Sequence, residues 1–194
     1  MIETHPFGVY MPKSATCLIL GTFPTHNKNW RFNSFYPGRN NFFWRLLGDV
    51  YTRTYQYTTG PEAAAERLAL CTEKGLALSD VIYKCRRIVG TSSKDSDLEI
   101  IEKMDNVSLL RKHPNIKRVI LTSSSGPVSA HKIFFEHLTE NGIGYMVSES
   151  KPPIHGSFVL DGRTIETHTL YSPSGTNIGR YAQALQQYKN WLPS

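Results

Sequence analysis

The chain has 194 residues, of which 40% are hydrophobic and 20% charged, and a formal net charge of +6 at pH 7. This length is enough for the core of one domain, and the composition excludes an intrinsically disordered protein. No apolar run approaches the ~20 residues of a membrane helix, and residues 1–6 lack the charged and apolar regions of a signal peptide. We therefore expect one cytoplasmic domain over residues 1–194 with no membrane partner.

Predicted strands and helices alternate along the chain. In order, the patterns predict a strand at 17–21, helices at 41–50 and 61–70, a strand at 75–82, a helix at 97–111, a strand at 119–121, a helix at 128–141, strands at 143–147 and 167–171, and a helix at 177–191. Residues 151–163 form either a loop or an extra hairpin that turns at Asp161-Gly162. The alternation predicts an α/β fold, a three-layer α/β/α sandwich around a mainly parallel sheet of four to five strands.

Three predicted strands end in turns of small and polar residues. The turns are Gly21-Thr22-Phe23-Pro24, Ser79-Asp80 and Ser172-Pro173-Ser174-Gly175-Thr176-Asn177. In an open parallel sheet, ligands bind outside the carboxyl ends of the strands. We therefore expect these three turns to converge on one edge of the sheet and to form the functional site there.

The segment 35–47, which follows the first predicted strand, combines aromatic residues with amides. Tyr36 offers a ring on which a nucleobase can stack, and Asn41 offers an amide that can place a water or read a polar edge of the base. On spacing alone, Asn41 is more typical of a helix N-cap. Phe42, Phe43 and Trp44 are assigned to the core, because a bulky run at the start of a helix is usually packing.

The basic residues and the cysteines give less specific signals. The positive charge suits a polyanionic partner, and Arg86 or Arg87 in a small basic group is a candidate DNA contact. Cys17, Cys71 and Cys85 are odd in number and widely spaced, which fits neither a disulfide framework nor an iron–sulfur cluster. We expect buried thiols, no metal and no other cofactor.

Three motifs carry a resemblance to a known family. They are Leu20-Gly21-Thr22-Phe23-Pro24, the segment from Tyr36 to Trp44 with Asn41-Phe42-Phe43-Trp44 at its centre, and Leu170-Tyr171-Ser172-Pro173-Ser174-Gly175. Weaker support comes from Leu78-Ser79-Asp80-Val81, with Arg87, Gly90 and Ser92 behind it. Together they resemble the uracil-DNA glycosylase superfamily, in particular its thymine/mismatch-specific and hypoxanthine-DNA glycosylase branches. The resemblance implies a monomeric α/β/α domain whose partner is DNA with a damaged or mismatched base.

The resemblance also implies roles for single residues. Tyr36 falls where the family places the aromatic that stacks on the flipped base, and Asn41 falls on the important asparagine of the hypoxanthine branch. The backbone amides of Thr22 and Phe23 would line the base pocket, where Asp80 is either a base-binding carboxylate or a brace for the loop. Arg180 would contact a DNA phosphate. A second DNA contact would come from the loop that enters the minor groove and fills the gap left by the base, and this loop consists of Ser172, Pro173, Ser174, Gly175 and Thr176.

The first motif departs from most of the superfamily, which has an Asp or Asn there to position or activate the attacking water. This chain has Phe23 at that position. A phenylalanine is a feature of the hypoxanthine branch, and it leaves Asn41 with most of the catalytic role. The resemblance thus predicts a monofunctional DNA repair glycosylase. Such an enzyme flips a deaminated base, hypoxanthine or uracil, out of DNA and hydrolyses its N-glycosidic bond, leaving an abasic site.

Two alternatives from other classes stay open at this point. The domain could bind nucleic acid or a nucleotide without cleaving it, because a basic charge and an aromatic loop suit that role equally well. It could also be an α/β hydrolase that uses Ser123, Ser124 or Ser125 at a strand end, although no Gly-x-Ser-x-Gly elbow surrounds these serines. Base release that depends on Asn41 distinguishes the glycosylase from both.

Overall fold

The computed structural model describes residues 1–194 and contains nine strands and five helices. The strands are β1 (Ile2–Thr4), β2 (Cys17–Gly21), β3 (Leu76–Asp80), β4 (Ile82–Arg87), β5 (Leu98–Lys103), β6 (Arg118–Leu121), β7 (Tyr145–Val147), β8 (Ile154–Leu160) and β9 (Arg163–Thr169). The helices are α1 (Phe43–Tyr51), α2 (Gly60–Glu73), α3 (Asn106–Lys112), α4 (Ala130–Glu140) and α5 (Tyr181–Trp191). None of these helices combines the length and the apolar character needed to span a membrane.

The main sheet has six strands in the order β3-β2-β6-β9-β8-β7. The first four are parallel, whereas β8 and β7 are antiparallel to their neighbours. This confirms the mainly parallel sheet, which has six strands where four to five were expected. The additional strand comes from the segment 151–163, where β8 turns into β9 through Asp161 (φ 50°) and Gly162 (φ 79°). Two consecutive left-handed residues form the tight hairpin turn that Asp-Gly favours.

Alternate residues of the central strand β2 pack into two separate cores, one on each face of the sheet. Leu18 and Leu20 belong to the core with α3 and α4, whereas Cys17 and Ile19 belong to the core with α1, α2 and α5. Helices on both faces bury the strand completely, which is why it reads as a continuous apolar run. The three-layer prediction is confirmed, and all three cysteines are buried free thiols, as expected.

A second, three-stranded antiparallel sheet in the order β1-β4-β5 was missed by the sequence patterns. The predicted helix at 97–111 is wrong over its first half, where β5 pairs with β4 through Cys85 and Ile100. The helix itself, α3, begins only after Asp105, whose side chain accepts a hydrogen bond from the Ser108 N–H at 3.0 Å and caps it. The predicted strand 75–82 ends at Asp80, and β4 begins after Val81 in the other sheet.

Candidate active site

A cavity of about 960 Å³ opens at the carboxyl ends of the parallel strands. It lies where the strand order reverses on either side of β2, which is the position at which open α/β sheets bind ligands. The three predicted turns converge here, together with the segment 36–41 and two loops that contain residues 93–96 and 122–128. The predicted site residues that line the cavity are Thr22, Phe23, Tyr36, Asn41, Asp80, Ser172, Pro173, Ser174, Gly175 and Thr176.

Tyr36 is held on one side by the core and on the other side lines the cavity. Its ring stacks on Phe43 with centroids 3.8 Å apart, and its hydroxyl lies 3.3 Å from Thr122 Oγ1. Its backbone has φ 50°, a left-handed conformation that costs a non-glycine residue on the order of 1 kcal/mol and persists only where the surroundings fix it. Burial, followed by the nearby charge of Asp80, raises the pKa of the Tyr36 hydroxyl well above its usual value. The ring is therefore a fixed, neutral stacking surface.

Gly21 makes room for two of these groups. A Cβ atom at this position would overlap Asp80 Oδ1 and would lie 3.1 Å from the Tyr36 hydroxyl. The absence of a side chain at Gly21 therefore brings the aromatic ring and the carboxylate together over the end of β2.

Asp80 is 5% exposed and pairs with a residue that the sequence patterns did not select. The Nε2 atom of His5 lies 2.7 Å from Asp80 Oδ2. His5 Nδ1 accepts hydrogen bonds from the backbone N–H groups of Phe7 and Gly8, at 3.3 Å and 3.0 Å. Because Nδ1 is an acceptor, the ring proton is on Nε2 and is donated to the carboxylate. Asp80 Oδ1 has no hydrogen-bond partner in the protein. The Asp80 side chain therefore forms a buried pair with His5 at the edge of the cavity.

The first turn presents unpaired backbone donors to the cavity. Neither the Thr22 nor the Phe23 N–H group donates a hydrogen bond to another backbone carbonyl. The Thr22 hydroxyl lies 3.2 Å from Ser123 Oγ, and the Phe23 ring meets the edge of the His5 ring at 5.6 Å. The turn can therefore stabilise negative charge on a ligand, as two adjacent N–H groups do in an oxyanion hole.

Asn41 lies one residue before Phe42, the N-cap of α1, and its catalytic role stays a prediction. Its Oδ1 accepts a hydrogen bond from the Phe43 N–H at 2.9 Å, so the side chain caps one free N–H group of the first turn from outside the N-cap position. Its Nδ2 donates no hydrogen bond to the protein, and the side chain lines the cavity. The capping bond fixes the carboxamide without using all of its hydrogen-bonding capacity.

The loop 172–180 forms the outer side of the cavity and is braced both by bonds within the loop and by contacts with residues 40–42. Pro173 accepts a hydrogen bond from the Phe42 N–H at 2.9 Å, and Asn177 Nδ2 donates to Ser172 O at 3.3 Å. Gly175 packs directly on Asn40, since a Cβ atom would lie 2.5 Å from the Asn40 carbonyl oxygen. Beyond the predicted motif, Ile178 lines the cavity and leaves 50% of its surface exposed. An exposed β-branched residue on a loop has no sequence signal of its own.

The prediction that Arg87 contacts DNA is corrected by the structure. Its side chain is 4% exposed and forms an ion pair with Glu3 at 2.9 Å. Its remaining N–H groups donate to Ser92 O at 2.7 Å and to Pro24 O at 2.6 Å. With its donors used inside the protein, Arg87 braces the loop after β2. Its neighbour Arg86 is exposed but pairs with Glu99 at 2.8 Å.

Three other cations surround the opening. Arg180 is exposed, with its guanidinium 5.3 Å from the centre of the Tyr171 ring. Arg39 and Lys94 are also exposed and line the cavity. None of the three pairs with a carboxylate, so their charge is available to a polyanion. Sequence reasoning selected Arg180 through its motif and missed the other two.

Asp95 is a second carboxylate at the cavity that the sequence patterns missed. It begins a 3-10 turn, Asp95–Asp97, in the loop between β4 and β5. Burial raises its pKa to about 6, while the nearby Thr22 hydroxyl lowers it and the charge of Asp80 raises it further. The inner part of the cavity is therefore acidic, in contrast with the basic opening.

The hydrolase alternative loses support from the surroundings of Ser123. Its hydroxyl accepts a hydrogen bond from the Ala130 N–H at 2.8 Å and lies beside the Thr22 hydroxyl, so it braces the start of α4. No histidine ring forms a hydrogen bond with the hydroxyl of Ser123, Ser124 or Ser125, although an activated serine nucleophile needs an adjacent base.

Comparison with known proteins supports the fold. No protein-family model and no curated protein matches the chain. Among solved structures, the chain is similar to the solution NMR structure of a "putative uracil DNA glycosylase" from Methanosarcina acetivorans, with a TM-score of 0.64. The two sequences are 20% identical, and the alignment covers 98% of each chain. At this level of identity the likeness concerns architecture: the chain has the uracil-DNA glycosylase-like fold that its motifs imply.

Proposed function

We propose that this protein is a DNA glycosylase of the uracil-DNA glycosylase superfamily. The observation that carries the proposal is the shared cavity, in which the Tyr36 ring, the free N–H groups of the first turn and the Asn41 amide meet. A base inside a duplex is inaccessible to such groups, so the enzyme must extrude it. The fold and the motifs support the same class of enzyme.

The geometry supports a hydrolytic mechanism. The flipped base stacks on Tyr36, which recovers roughly 1–3 kcal/mol of the cost of unstacking. The N–H groups of Thr22 and Phe23 stabilise the negative charge that develops on the leaving base. Asn41 orients a water near the anomeric carbon. An amide is a poor base, so it positions the water and does not abstract its proton.

The proposed hydrolysis of the N-glycosidic bond needs only water as a co-reactant and no cofactor. The water oxygen bonds to the anomeric carbon as the N-glycosidic bond breaks, and the electron pair of that bond leaves on the base. The base takes up the proton that the water releases. Because water is the nucleophile, the product is an abasic site in an intact strand. The substrate class is a deaminated base, with hypoxanthine favoured over uracil because Phe23 matches the hypoxanthine branch.

The outer side of the cavity suits the DNA backbone. We propose that residues 172–176 enter the minor groove and that Ile178 fills the space left by the base, since apolar wedges of this kind hold unstacked steps open. Arg39, Lys94 and Arg180 would neutralise phosphates around the flipped nucleotide. One protomer presents this whole surface, so a monomer is sufficient.

The first experiment is base release from labelled duplexes that contain hypoxanthine, uracil, xanthine or a G·T mismatch. The wild-type protein should release hypoxanthine, and Asn41→Ala should reduce the rate by at least about a hundredfold, because a misplaced nucleophile loses that much. Asn190→Ala, an exposed amide on α5, is the matched control. DNA binding without release of any base would favour the non-catalytic binding domain, and release by Asn41→Ala at the wild-type rate would contradict the mechanism.

A further inference from the structure

We infer that His5 orients Asp80 as a hydrogen-bond acceptor for the ring N–H of the flipped base, which makes this pair the determinant of base specificity. The inference rests on the proposed glycosylase function and deepens it. It assigns a positioning role to His5, a residue outside all the motifs, and a defined chemistry to Asp80.

His5 cannot easily change its proton arrangement. Its side chain is fully buried, and its ring lies within 6 Å of the rings of Phe7, Phe23 and Phe35. Two backbone N–H groups point at Nδ1, so protonation of Nδ1 would break both bonds inside an apolar surrounding. The backbone is also held, because the His5 N–H donates to Tyr83 O at 2.7 Å. Nε2 is therefore a permanent donor to Asp80.

Asp80 is consequently left with one free acceptor that faces the ligand. Oδ2 accepts the hydrogen bond from the His5 Nε2–H group, while Oδ1 lies above Gly21 with no protein partner. Polar groups near it include the Tyr36 hydroxyl, which is bonded to Thr122, and the carboxyl of Asp95. A base that reaches the inner end of the cavity meets a carboxylate oxygen that can only accept.

This arrangement distinguishes bases by one ring atom. Hypoxanthine and xanthine carry a proton on N1, and uracil carries one on N3, so each can donate to Oδ1. Adenine N1 and cytosine N3 present a lone pair at the same position and would be repelled by the carboxylate. Hydrogen bonds to an ionised acceptor are about twice as strong as neutral ones. The pair thus selects the deaminated form of a base over its parent.

The fixed proton on His5 gives a prediction that a plain hydrogen-bonding role would not give. In Asp80→Asn the new amide must turn its oxygen toward the His5 donor, which places its NH₂ group in the cavity. The ligand-facing acceptor becomes a donor, so the preference for hypoxanthine over adenine should fall and can invert. The expected change is at least about a hundredfold in the ratio of the two release rates, since one bond is lost and its opposite is gained.

The test measures single-turnover release of hypoxanthine and adenine from otherwise identical duplexes. Asp80→Asn should lower the ratio as stated, and His5→Met should lower it about tenfold by removing the donor that orients the carboxylate. His5→Gln retains an N–H donor and should restore most of the ratio. A purely structural role of His5 would slow both substrates equally and leave the ratio unchanged, which would overturn the inference.

A substrate-side measurement needs no variant and therefore does not depend on folding. In 1-methylhypoxanthine a methyl group replaces the proton on N1, so the wild-type protein should release it at least about tenfold more slowly than hypoxanthine. Equal rates would refute the hydrogen bond from the ring N–H of the base to Asp80 while leaving the proposed glycosylase function intact. Absence of release from every substrate would instead refute the proposed function itself, and the inference with it.

Discussion

Two regions of the cavity are held in place in different ways. The inner wall is formed by Gly21, Tyr36 and Asp80, and the rim is formed by Arg39 and residues 172–180. The inner wall is fixed by contacts between distant parts of the chain, such as the pair of His5 and Asp80, which are 75 residues apart. The rim is braced mainly by bonds within a few residues, and much of it is exposed. Under the proposed function, the contacts between distant parts of the chain would lie where a base is identified, and the more exposed, locally bonded loop would lie where a DNA backbone is followed.

The two regions also differ in charge. The inner end has the carboxyl groups of Asp80 and Asp95, whereas the rim and its neighbourhood have the unpaired cations Arg39, Lys94 and Arg180. This distribution of charge attracts a phosphate to the rim and repels it from the inner wall, so in the proposed complex the DNA backbone would stay outside while an uncharged base enters. We therefore expect a substitution in the inner wall to change base selection or the rate of hydrolysis. A substitution in the rim should instead change how the protein binds duplex DNA.

The largest effect should come from Gly21→Ala. The new Cβ would overlap Asp80 Oδ1, and that carboxylate cannot move without losing its bond to His5. We expect base release to fall by about a hundredfold or more, because displacement of fixed groups by 1 Å has effects of that size. Single-turnover release measures it, and Gly144→Ala, where a Cβ meets nothing within 4 Å, is the control. Release within twofold of the wild type would show that the inner wall is not rigid.

A moderate effect that depends on the form of the DNA should follow from Ile178→Ala. If the rim acts by holding the duplex open, release from duplex DNA should fall about tenfold, a loss of ~1.4 kcal/mol, while release from single strands should change little. The matched control is Val159→Ala, an equally exposed β-branched residue on β8. Equal loss on single and double strands would place Ile178 with the inner wall instead.

The smallest effect should be the gain in stability of Asp95→Asn. Its folded pKa of about 6 lies above the ordinary carboxyl value of 3.8, so the folded state favours the protonated form. The contribution of Asp95 to stability is therefore full below about pH 4 and is lost as the pH rises through 6. Removing the charge should raise the free energy of unfolding at pH 7.5 on the order of 1 kcal/mol, discounted for partial solvent screening, and should have little effect near pH 4.

Urea unfolding at the two pH values measures this difference. Asp97→Asn, in the same 3-10 turn, controls for the general loss of a negative charge from a basic protein. A variant that is less stable than the wild type at pH 7.5 would show that Asp95 is held by favourable contacts, contrary to the acidic character assigned to the inner wall.

The sequence predicts the parts of the site that local patterns encode. The apolar run of β2 and the turns after β2, β3 and β9 are visible because continuous burial and small turn residues leave a local signal. They suffice to place Thr22, Asp80 and Ser172 around one cavity. The family resemblance adds Tyr36 and Asn41, which spacing alone would assign to a core and a cap.

What the sequence misses depends on tertiary contacts. His5 enters the site because β1 pairs with β4, and three residues have no periodicity that predicts a strand. Leu98 and Ile101 lie three residues apart, which fits a helical spacing, yet pairing of the segment with β4 overrides that preference. Arg87 has the composition of a DNA contact, and only the folded chain shows that Glu3 and two carbonyls use its donors.

The pairing of β1 links base selection to temperature. This strand joins the sheet edge through only three residues, so we expect its local opening to require less free energy than global unfolding, although the pair of His5 and Asp80 opposes it. When β1 detaches, His5 leaves with it and Asp80 loses the donor that sets its orientation, while the parallel sheet and the Asn41 amide stay in place. On warming, the ratio of release rates for a deaminated base and its parent should therefore fall at a lower temperature than base release itself. The domain should unfold only at a higher temperature still.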